Sequence, residues 1–345
     1  MKKFRLFNGL VITVALLGLP VISSTAFGAD DVEEVVAVGS RREARSVGDS
    51  PAPVDIITGS DFVNQGAMDL PDMIRTLVPS FNVNTQPISD AATLIRPANL
   101  RGLPPDNMLV LVNGKRRHRG AVISFLGSGI SDGAQGPDIS AIPSIALKQV
   151  EVLRDGASAQ YGSDAIAGIM NFVYKDNSEG TQLEIRTGEY KEGDGDSWRI
   201  AANVGMPFTS AGFANLSIEL QDSKATSRSV QRADAQGLYD GGNTAIWNYP
   251  DPAQIWGSPD VSDDYKFVVN LGVSLDESKD FYLFGNYGER NVLGGFFFRN
   301  PTNRGGVFST DGGATRLVGD VAEATAGAAR TCPVVPVPAS GAGSS

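Results

Sequence analysis

Between residues 181 and 287 the chain is dominated by segments in which apolar and polar side chains alternate. In Trp198 to Met206 the even positions are apolar, and Arg199, Asn203 and Gly205 stand between them. The same two-residue period recurs at 183–185, 216–220 and 267–273, and less cleanly at 281–287. A period of two indicates β-strands with one apolar face. We therefore expect an antiparallel sheet after residue 176, either in a membrane barrel or in a soluble β-sandwich.

The connections between these segments differ in length. Pro207 to Gly212 and Asp276 to Asp280 are short, whereas Ala225 to Asp264 and the part after Asn291 are long. Short turns at one end of the strands and long loops at the other are typical of an outer-membrane barrel. This pattern favours the barrel over the sandwich.

The N-terminus has the form of a secretory signal peptide. Basic residues Lys2, Lys3 and Arg5 precede an apolar run from Leu10 to Ile22, and small residues follow as far as Ala29. The apolar run is too short for a typical membrane-spanning helix. We predict a signal peptide over residues 1–29. No later stretch has 18 uninterrupted apolar residues, so any spanning of a membrane would fall to strands.

Composition excludes several classes of protein. The 345 residues are 41% hydrophobic, enough for a sizeable core and more than one domain. The net charge of -10 argues against a nucleic-acid binder, which needs a basic surface. A single cysteine, Cys332, and a single histidine, His118, make a disulfide framework or a Cys/His metal site improbable on sequence grounds.

The sequence from Val150 to Tyr174 predicts two strands joined by a compact turn. Its ends are rich in β-branched and aromatic residues, and the part from Asp155 to Gly168 is rich in small residues. Glycine there allows the backbone to approach another surface closely. Around it the pattern predicts an α+β unit over 49–176, with a short helix capped by Ser60, a second helix from Asp72 to Leu77, and strands at 54–57, 81–84, 99–103 and 108–112.

Four ordered motifs in this half resemble TonB-dependent outer-membrane receptors. The segment 150–174 is similar to the end of their plug domain, with "EVLR", then "YG", then "AIAG" and an apolar strand. Leu100 to Leu103 is similar to the plug "RG" strand, and Met108 to Arg116 to the next plug strand. The region Glu33, Glu34, Val35, Val36, Ala37, Val38 and Gly39 is similar to the TonB box.

This resemblance implies a domain order and a set of partners. It predicts a signal peptide at 1–29, the TonB box and a linker at 30–48, an α+β plug domain at 49–176, and antiparallel transmembrane β-barrel strands with extracellular loops at 177–345. It also implies uptake of a scarce ligand without a cofactor, in the outer membrane, driven through TonB. A short β-prone run such as Val35 to Val38 can add as a strand to a partner's sheet edge. The alternative is a terminal tail without a role.

The barrel predicted from this resemblance is incomplete. Plugged transporters have about 22 strands of roughly 9–11 residues each, so the strands alone need on the order of 200 residues. Residues 177–345 are too few for that, and only about five strands are recognisable in them. We therefore expect a fragment or a truncated receptor. Cys332 is then either one half of a disulfide whose partner is missing or a lone thiol.

Arg101 and Arg154 are candidates for an ionic network because both lie in segments that otherwise look buried. A buried guanidinium needs a carboxylate or several carbonyls to offset its desolvation. The resemblance implies that these plug arginines pair with glutamates on the inner barrel wall, and that Glu151 joins them. The alternative is pairing within the plug, for instance with Asp155 or Asp164.

The chain offers little evidence of an enzyme. A Walker-type Gly-Lys-Ser/Thr is absent, and His118 lies in a basic turn. Glu192, Asp194 and Asp196 could bind a cation, but a solvated hairpin tip explains them as well. We expect no catalytic residue and no metal.

The ligand stays open among siderophore, cobalamin, saccharide and peptide, because selectivity would reside in outer loops. The competing hypothesis for the function is a non-transporting surface or periplasmic binding protein that uses a plug-like module.

Overall fold

The computed structural model describes residues 35–36, 45–46, 53–83, 92–124, 129–240, 257–276, 278–294, 316–318 and 334–336. The chain divides into two units, residues 1–34 and residues 35–345, and every described residue lies in the second. The predicted signal peptide, Cys332, and Glu33, Glu34, Ala37 and Val38 of the TonB-box region lie outside the described residues.

The N-terminal half contains short strands and helices, as the sequence predicts. They are β1 Val35–Val36, β2 Arg45–Ser46, β3 Val54–Thr58, α1 Gly59–Val63, α2 Leu70–Leu77, β4 Phe81–Val83, α3 Ala92–Ile95, β5 Ala98–Leu100, β6 Met108–Val112, β7 Lys115–Arg116, β8 Leu147–Leu153, α4 Ser158–Tyr161 and β9 Gly168–Tyr174, with 3₁₀ turns at Pro105–Asn107, Gly129–Ser131, Ser144–Ala146 and Ser163–Ala165.

Helix α1 begins earlier than predicted. Thr58, not Ser60, is its N-cap and forms a capping box with Asp61, whose side chain accepts a hydrogen bond from the Thr58 backbone at 2.8 Å. Helix α2 likewise begins at Leu70 after the N-cap Asp69, with Pro71 in its first turn. Proline fits there because the missing N–H has no partner within a helix.

Five strands of this N-terminal domain form a mixed sheet in the order β3-β8-β9-β6-β7. All neighbours are antiparallel except β6 and β9, which run parallel. Strands β6 and β7 are joined by Asn113 and Gly114, both at positive φ, as a two-residue hairpin requires. Strands β4 and β5 pair separately, as do β1 and β2.

Both faces of this sheet are covered. One face packs with helices α1 and α2 around Phe62, Met73, Val150 and Phe172, and the other carries a smaller cluster around Leu109 and Ile169. The predicted close approach is confirmed at Gly168, where φ is +139° and a Cβ atom would lie 2.3 Å from the Leu153 carbonyl oxygen. A residue with a side chain would separate β9 from β8 at this point.

The second half contains longer strands. They and the accompanying helix are β10 Thr181–Gly188, β11 Ser197–Thr209, β12 Gly212–Ser223, α5 Ala233–Asp240, β13 Asp260–Asp276, β14 Lys279–Leu293, β15 Arg316–Val318 and β16 Val334–Pro336. Strands β10 to β14 form one antiparallel sheet in sequence order, here called the wall sheet, and β15 pairs with β16. Among the described strands the wall sheet is open, with β10 and β14 at its edges.

The wall sheet has its apolar face outward and its polar face inward. Leu183, Ile200, Ile218 and Phe267 are 62%, 40%, 44% and 42% exposed. The residues that alternate with them are buried although they are polar: Arg199, Asn203, Asn215, Ser217, Glu219, Gln221, Asp264, Lys266 and Asn270. A soluble sandwich buries its apolar face, so this arrangement excludes that alternative. The sheet has the pattern of a membrane barrel wall.

Part of the inner face of the wall sheet packs on the N-terminal domain. Val268 of β13 belongs to the larger core cluster of that domain, and Phe284 of β14 packs against it and contacts the Tyr174 ring edge-on. The change from short to long strands falls between Tyr174 and Thr181. The domain boundaries at 29, 48 and 176 stay predictions.

In the described part of the chain, no helix combines the length and the apolar character needed to cross a membrane.

Candidate functional site

The contact between the N-terminal domain and the wall sheet is built from charged residues. Arg199 of β11 is fully buried, and its guanidinium donates to Glu184 Oε1 at 2.7 Å, Glu219 Oε2 at 2.7 Å and Ser144 Oγ at 2.6 Å. The two glutamates lie on the neighbouring strands β10 and β12, whereas Ser144 belongs to the N-terminal domain. Arg199 thus connects three consecutive strands of the wall sheet to Ser144, 55 residues earlier in the chain, through one planar group.

The ion pairs continue across the wall sheet. Lys266 Nζ of β13 lies 2.7 Å from Glu219 and 3.6 Å from Asp264, and both of these acids are almost fully buried. Asp264 in turn accepts hydrogen bonds from Arg290 of β14 at 2.9 and 3.0 Å. Strand pairing places these residues at adjacent inward positions, so each charge has an opposite charge beside it.

Arg290 carries the contacts into the N-terminal domain. It donates to Ser140 Oγ at 3.0 Å and lies 3.6 Å from Asp69, the N-cap of α2. Asp69 also pairs with Arg96, which donates to Asp72 at 3.2 Å. We call this series the ionic seam; its members are Glu184, Arg199, Glu219, Lys266, Asp264, Arg290, Asp69, Arg96 and Asp72.

Burial changes the acid–base properties of the seam within the N-terminal domain. Desolvation raises the pKa of Asp72 despite the nearby Arg75 and Arg290. Desolvation, together with the positive charge of Arg290, lowers the pKa of Arg96 to about 10. Arg96 nevertheless stays protonated at neutral pH, so its attraction to Asp69 and Asp72 is retained.

Arg186 of β10 makes a different contact with the N-terminal domain. Its guanidinium donates to four main-chain carbonyls at and beyond the C-terminal end of α1: Phe62 at 3.1 Å, Val63 at 2.8 Å, Gln65 at 2.5 Å and Ala67 at 3.2 Å. Carbonyls at a helix C-terminus lack partners within the helix and carry partial negative charge. The Arg186 guanidinium, which pairs with Glu184, supplies both the missing hydrogen-bond donors and an opposite charge.

Side-chain amides complete the contact at the other end of the interface. Asn113 Nδ2 donates to Asn270 Oδ1 at 3.2 Å, and Asn270 donates to the Lys175 carbonyl at 3.0 Å. Arg117 donates to Asn286 Oδ1 at 2.6 Å, and Asn215 donates to Asn177 Oδ1 at 2.8 Å. These bonds satisfy inward-facing polar groups that would otherwise be buried without partners.

A cavity of about 500 Å³ lies beside the seam at the end of the wall sheet that carries the long connections. The segment Gly66 to Asp69 forms one side, and Gln221, Ser223 and Val292 of the wall sheet form the other. The Gln221 side-chain oxygen is buried and has no hydrogen-bond partner among the described atoms. The recess therefore offers a hydrogen-bond acceptor to solvent or to a hydrophilic group.

The predicted network of Arg101, Glu151 and Arg154 is not assembled as one group in the described residues. Arg154 pairs with Asp55 of β3 at 2.6 Å and is half exposed. Arg101 is exposed, has a φ of +56°, and donates to the Ala167 carbonyl at 3.4 Å. Glu151 is buried and accepts hydrogen bonds from Gln149 at 3.0 Å and from Asn171 at 3.1 Å.

Arg154 follows the alternative of pairing within the domain, with Asp55 in place of the suggested Asp155 or Asp164. The reason is that β3 pairs with β8 and brings Asp55 next to the end of β8. This strand pairing is known only from the structure. Asp164 instead pairs with Arg116 and Arg119. Pairing of Arg101 and Arg154 with wall glutamates stays a prediction that the described strands do not test.

The residues that do connect the two parts were not singled out by the sequence. Arg186, Arg199 and Arg290 belong to the wall sheet and donate inward to the N-terminal domain. A signal for them exists: each occupies the polar phase of an alternating segment. Charged residues in that phase indicate a buried inner face.

The TonB-box region is described only at Val35 and Val36. These two residues pair antiparallel with Ser46 and Arg45, respectively. The segment therefore takes an extended backbone conformation there, which is compatible with strand addition. Binding of a partner by this region stays a prediction.

The acidic side chains of the hairpin after β10 pair with an arginine. Arg228 donates to Asp194 at 2.6 Å and to Glu192 at 3.2 Å, and its guanidinium lies 5.9 Å from the centre of the Tyr190 ring. The hydrogen bonds from Arg228 lower the pKa of Asp194. Among the described residues no group of three or more metal-ligating side chains could hold a metal ion.

Comparison with known protein families identifies the N-terminal domain. Residues 46–169 match the model of the TonB-dependent Receptor Plug Domain. Among curated proteins, the chain is 30% identical over 162 residues to the ferric enterobactin receptor PirA of Pseudomonas aeruginosa, covering 46% of this chain and 21% of that protein. It is also 30% identical over 189 residues to the vitamin B12 transporter BtuB of Vibrio cholerae, covering 54% of this chain and 28% of that protein.

Solved structures show the same fold. The siderophore receptor PirA of Acinetobacter baumannii superposes with a TM-score of 0.52 at 21% identity, covering 75% of this chain and 34% of that one. The ferric enterobactin receptor PfeA of Pseudomonas aeruginosa gives 0.52 at 20% identity, with 70% and 33% covered. The chain thus spans between a fifth and about a third of the length of the relatives it matches.

Proposed function

Because the chain carries the plug domain of the TonB-dependent receptors, followed by antiparallel strands of a partial barrel, we propose that it acts in active uptake of a scarce ligand across the outer membrane. In this proposal the wall sheet contacts lipid on its outer face and holds the plug on its inner face. The ligand enters at the end with the long connections and leaves at the end with the short turns.

The apolar outer face and polar inner face of the wall sheet are the observation that carries this proposal. Large apolar side chains on all five strands face outward and are exposed, for example Ile185, Ile218 and Leu283. Exposed apolar surface of this extent is unfavourable in water but favourable against acyl chains. A soluble binding module built on the same domain would have no use for such a surface. The same feature supports the proposed lipid partner, and the relatives support the proposed outer-membrane location.

The plug blocks the inner face, so transport requires its displacement or rearrangement. Arg199 and Arg290 of the ionic seam, together with Arg186, hold it with charge-assisted hydrogen bonds, each of which is roughly twice as strong as a neutral one. We propose that the box region, Glu33 to Val38, adds as a strand to a sheet edge of TonB, and that the force TonB then applies to this segment loosens these bonds.

The ligand class follows only from the relatives. One is named for ferric enterobactin and another for vitamin B12. We propose an iron chelate or a cobalamin as the first ligands to test. Binding and release of either need no covalent chemistry from the chain, and the named relatives are receptors and transporters.

The proposal is tested by changing the backbone of the box. Val36→Pro removes a main-chain donor and disfavours strand addition, whereas Val36→Ala keeps the donor. In cells expressing the full-length protein, we expect site-specific crosslinking to TonB to persist in the alanine variant and to fall to background in the proline variant. Ligand-dependent growth should follow the crosslinking.

Equal crosslinking of the two variants would contradict strand addition at this segment. Recovery of the full-length protein as a soluble periplasmic monomer would contradict the receptor and favour the binding module.

A further inference from the structure

The attachment of the plug to the wall sheet is uneven along the chain. Residues 53–61 form hydrogen bonds and ion pairs, in the described structure, only within the N-terminal domain: β3 pairs with β8, Asp55 pairs with Arg154, and Thr58 bonds to Asp61. The first polar contacts with the wall sheet along the chain are the carbonyls of Phe62, Val63, Gln65 and Ala67, and all four are bound by Arg186.

The next such contact is Asp69, which lies 3.6 Å from Arg290. Between β3 and this point, Arg186 is therefore the single polar connection to the wall sheet among the described residues. Arg186 is well held for this role, because its side chain is 13% exposed and pairs with Glu184, which also pairs with Arg199. It is thus continuous with the ionic seam.

Strand β3 is well placed to move separately. It lies at the edge of the five-stranded sheet, so its removal breaks one strand pairing and leaves β8-β9-β6-β7 intact. It is also the described strand of this sheet that comes first in the chain, next to the segment on which TonB would act. Its ion pair with Arg154 is half exposed, and such pairs contribute little.

We propose that Arg186 is the positioning residue that divides the plug into a releasable segment, residues 53–61, and a remainder that the wall sheet retains. Tension at the N-terminus extends β3 and the first turn of α1, and extension stops where Arg186 binds the carbonyls from Phe62 to Ala67. The same contact fixes the segment Gly66 to Asp69, which forms one side of the 500 Å³ cavity. Arg186 thereby connects the cavity wall to the segment that moves.

This inference rests on the proposed function for the origin of the tension, but its test does not require TonB. The full-length protein in a lipid bilayer is pulled from a handle attached before residue 53. A first extension of residues 53–61 corresponds to at most about 30 Å of chain. In Arg186→Met, extension should continue to Asp69 and reach about 55 Å in the same step.

Arg186→Lys is the conservative variant. A lysine ammonium keeps the charge but has three donors on a flexible stem, so it cannot hold four carbonyls in fixed geometry. We expect an intermediate behaviour, with a stop at the wild-type extension at lower force. Arg154→Met is the matched control, because it removes an arginine within the domain and should leave the position of the stop unchanged.

Hydrogen exchange provides the second measurement. Amides of residues 62–69 should exchange about tenfold faster or more in Arg186→Met, while those of β8 and β9 stay protected. Protection of β8 and β9 also shows that the variant is folded. Unchanged exchange at 62–69, or an identical first extension in wild type and Arg186→Met, would overturn the proposal. Loss of TonB crosslinking with these two results intact would contradict only the proposed function.

Discussion

The contribution of an ion pair to the stability of this protein depends on how deeply its side chains are buried, not only on the distance between the charged atoms. Arg154 and Asp55 form a close pair at 2.6 Å, yet both side chains are more than a third exposed. Arg199 has a similar geometry but is fully buried, and it satisfies two carboxylates at once. Solvent screens the first pair, whereas removal of Arg199 would leave Glu184 with Arg186 and Glu219 with Lys266, each without the cation that the two acids share in a buried site.

We predict that Arg199→Met destabilises the protein by about 3–5 kcal/mol, because Glu184 and Glu219 lose a shared cation in a buried site. Arg154→Met should cost about 0–1 kcal/mol. Urea titration of the two variants in the same detergent measures the difference. Equal losses would show that the seam does not contribute through burial.

At the scale of elements, loop length alone does not predict which loops are held in place. The hairpin between β10 and β11 and the loop after β12 are joined by Arg228, which bridges Glu192 and Asp194 beneath the Tyr190 ring. The two loops therefore share one conformation while the bridge is intact. A carboxylate whose pKa is lowered in the folded state stabilises that state at pH values above its unfolded pKa, and the stabilisation is lost as the pH falls through the lowered value.

For Asp194 the ordinary pKa is 3.8 and the folded value lies below it. The bridge should accordingly be complete at neutral pH and weaken only below about pH 4. In Arg228→Met we expect the pKa of Asp194 to rise toward its ordinary value in a carboxyl NMR titration.

Lys224→Met is the control for this titration, since the Lys224 ammonium lies 3.7 Å from Asp260, and its hydrogen bond to the hairpin runs from the main-chain N–H to the Asp196 carbonyl, which the substitution keeps. An Asp194 titration that is the same in wild type and Arg228→Met would contradict the bridge.

For the whole molecule, the orientation of the wall sheet decides the environment in which it is stable. Its outer face is apolar at mid-strand positions such as Ile200, Ile218 and Phe267, and its inner face is charged and covered by the plug. In a soluble protein, with water outside and an apolar core inside, the polar side chains of the sheet would face outward and the apolar ones inward. The sheet and the plug are therefore complementary in polarity, which a soluble protein rarely shows.

Ile218 lies near the middle of β12 and is 44% exposed. We predict that Ile218→Arg reduces stability in lipid by about 2–4 kcal/mol, as expected for a cation near the bilayer midplane. Thr209→Arg, at the end of β11 near the short turn, should cost about 0–1 kcal/mol. Unfolding from vesicles measures both values. A loss at Ile218 no larger than that at Thr209 would contradict the lipid-facing assignment.

The sequence alone determined the class of each half of this protein. Local patterns suffice for that purpose: a period of two specifies strands and their two faces, and small residues at fixed positions specify turns such as the one that ends at Gly168. These signals predicted the first two helices and the main strands of the N-terminal half, the change to alternating strands in the second half, and the apolar phase of each wall strand. They also carried the resemblance to the plug, because its motifs are contiguous in the chain.

Only the tertiary structure decided which charges meet. The partners of Arg199, Arg290 and Arg186 lie up to 150 residues away in sequence, and their contact depends on register and on how the plug is docked. The sequence places Arg154 beside Asp155, but strand pairing places it beside Asp55. Coulomb attraction and desolvation depend on distance and burial in space, so spacing along the chain does not determine them.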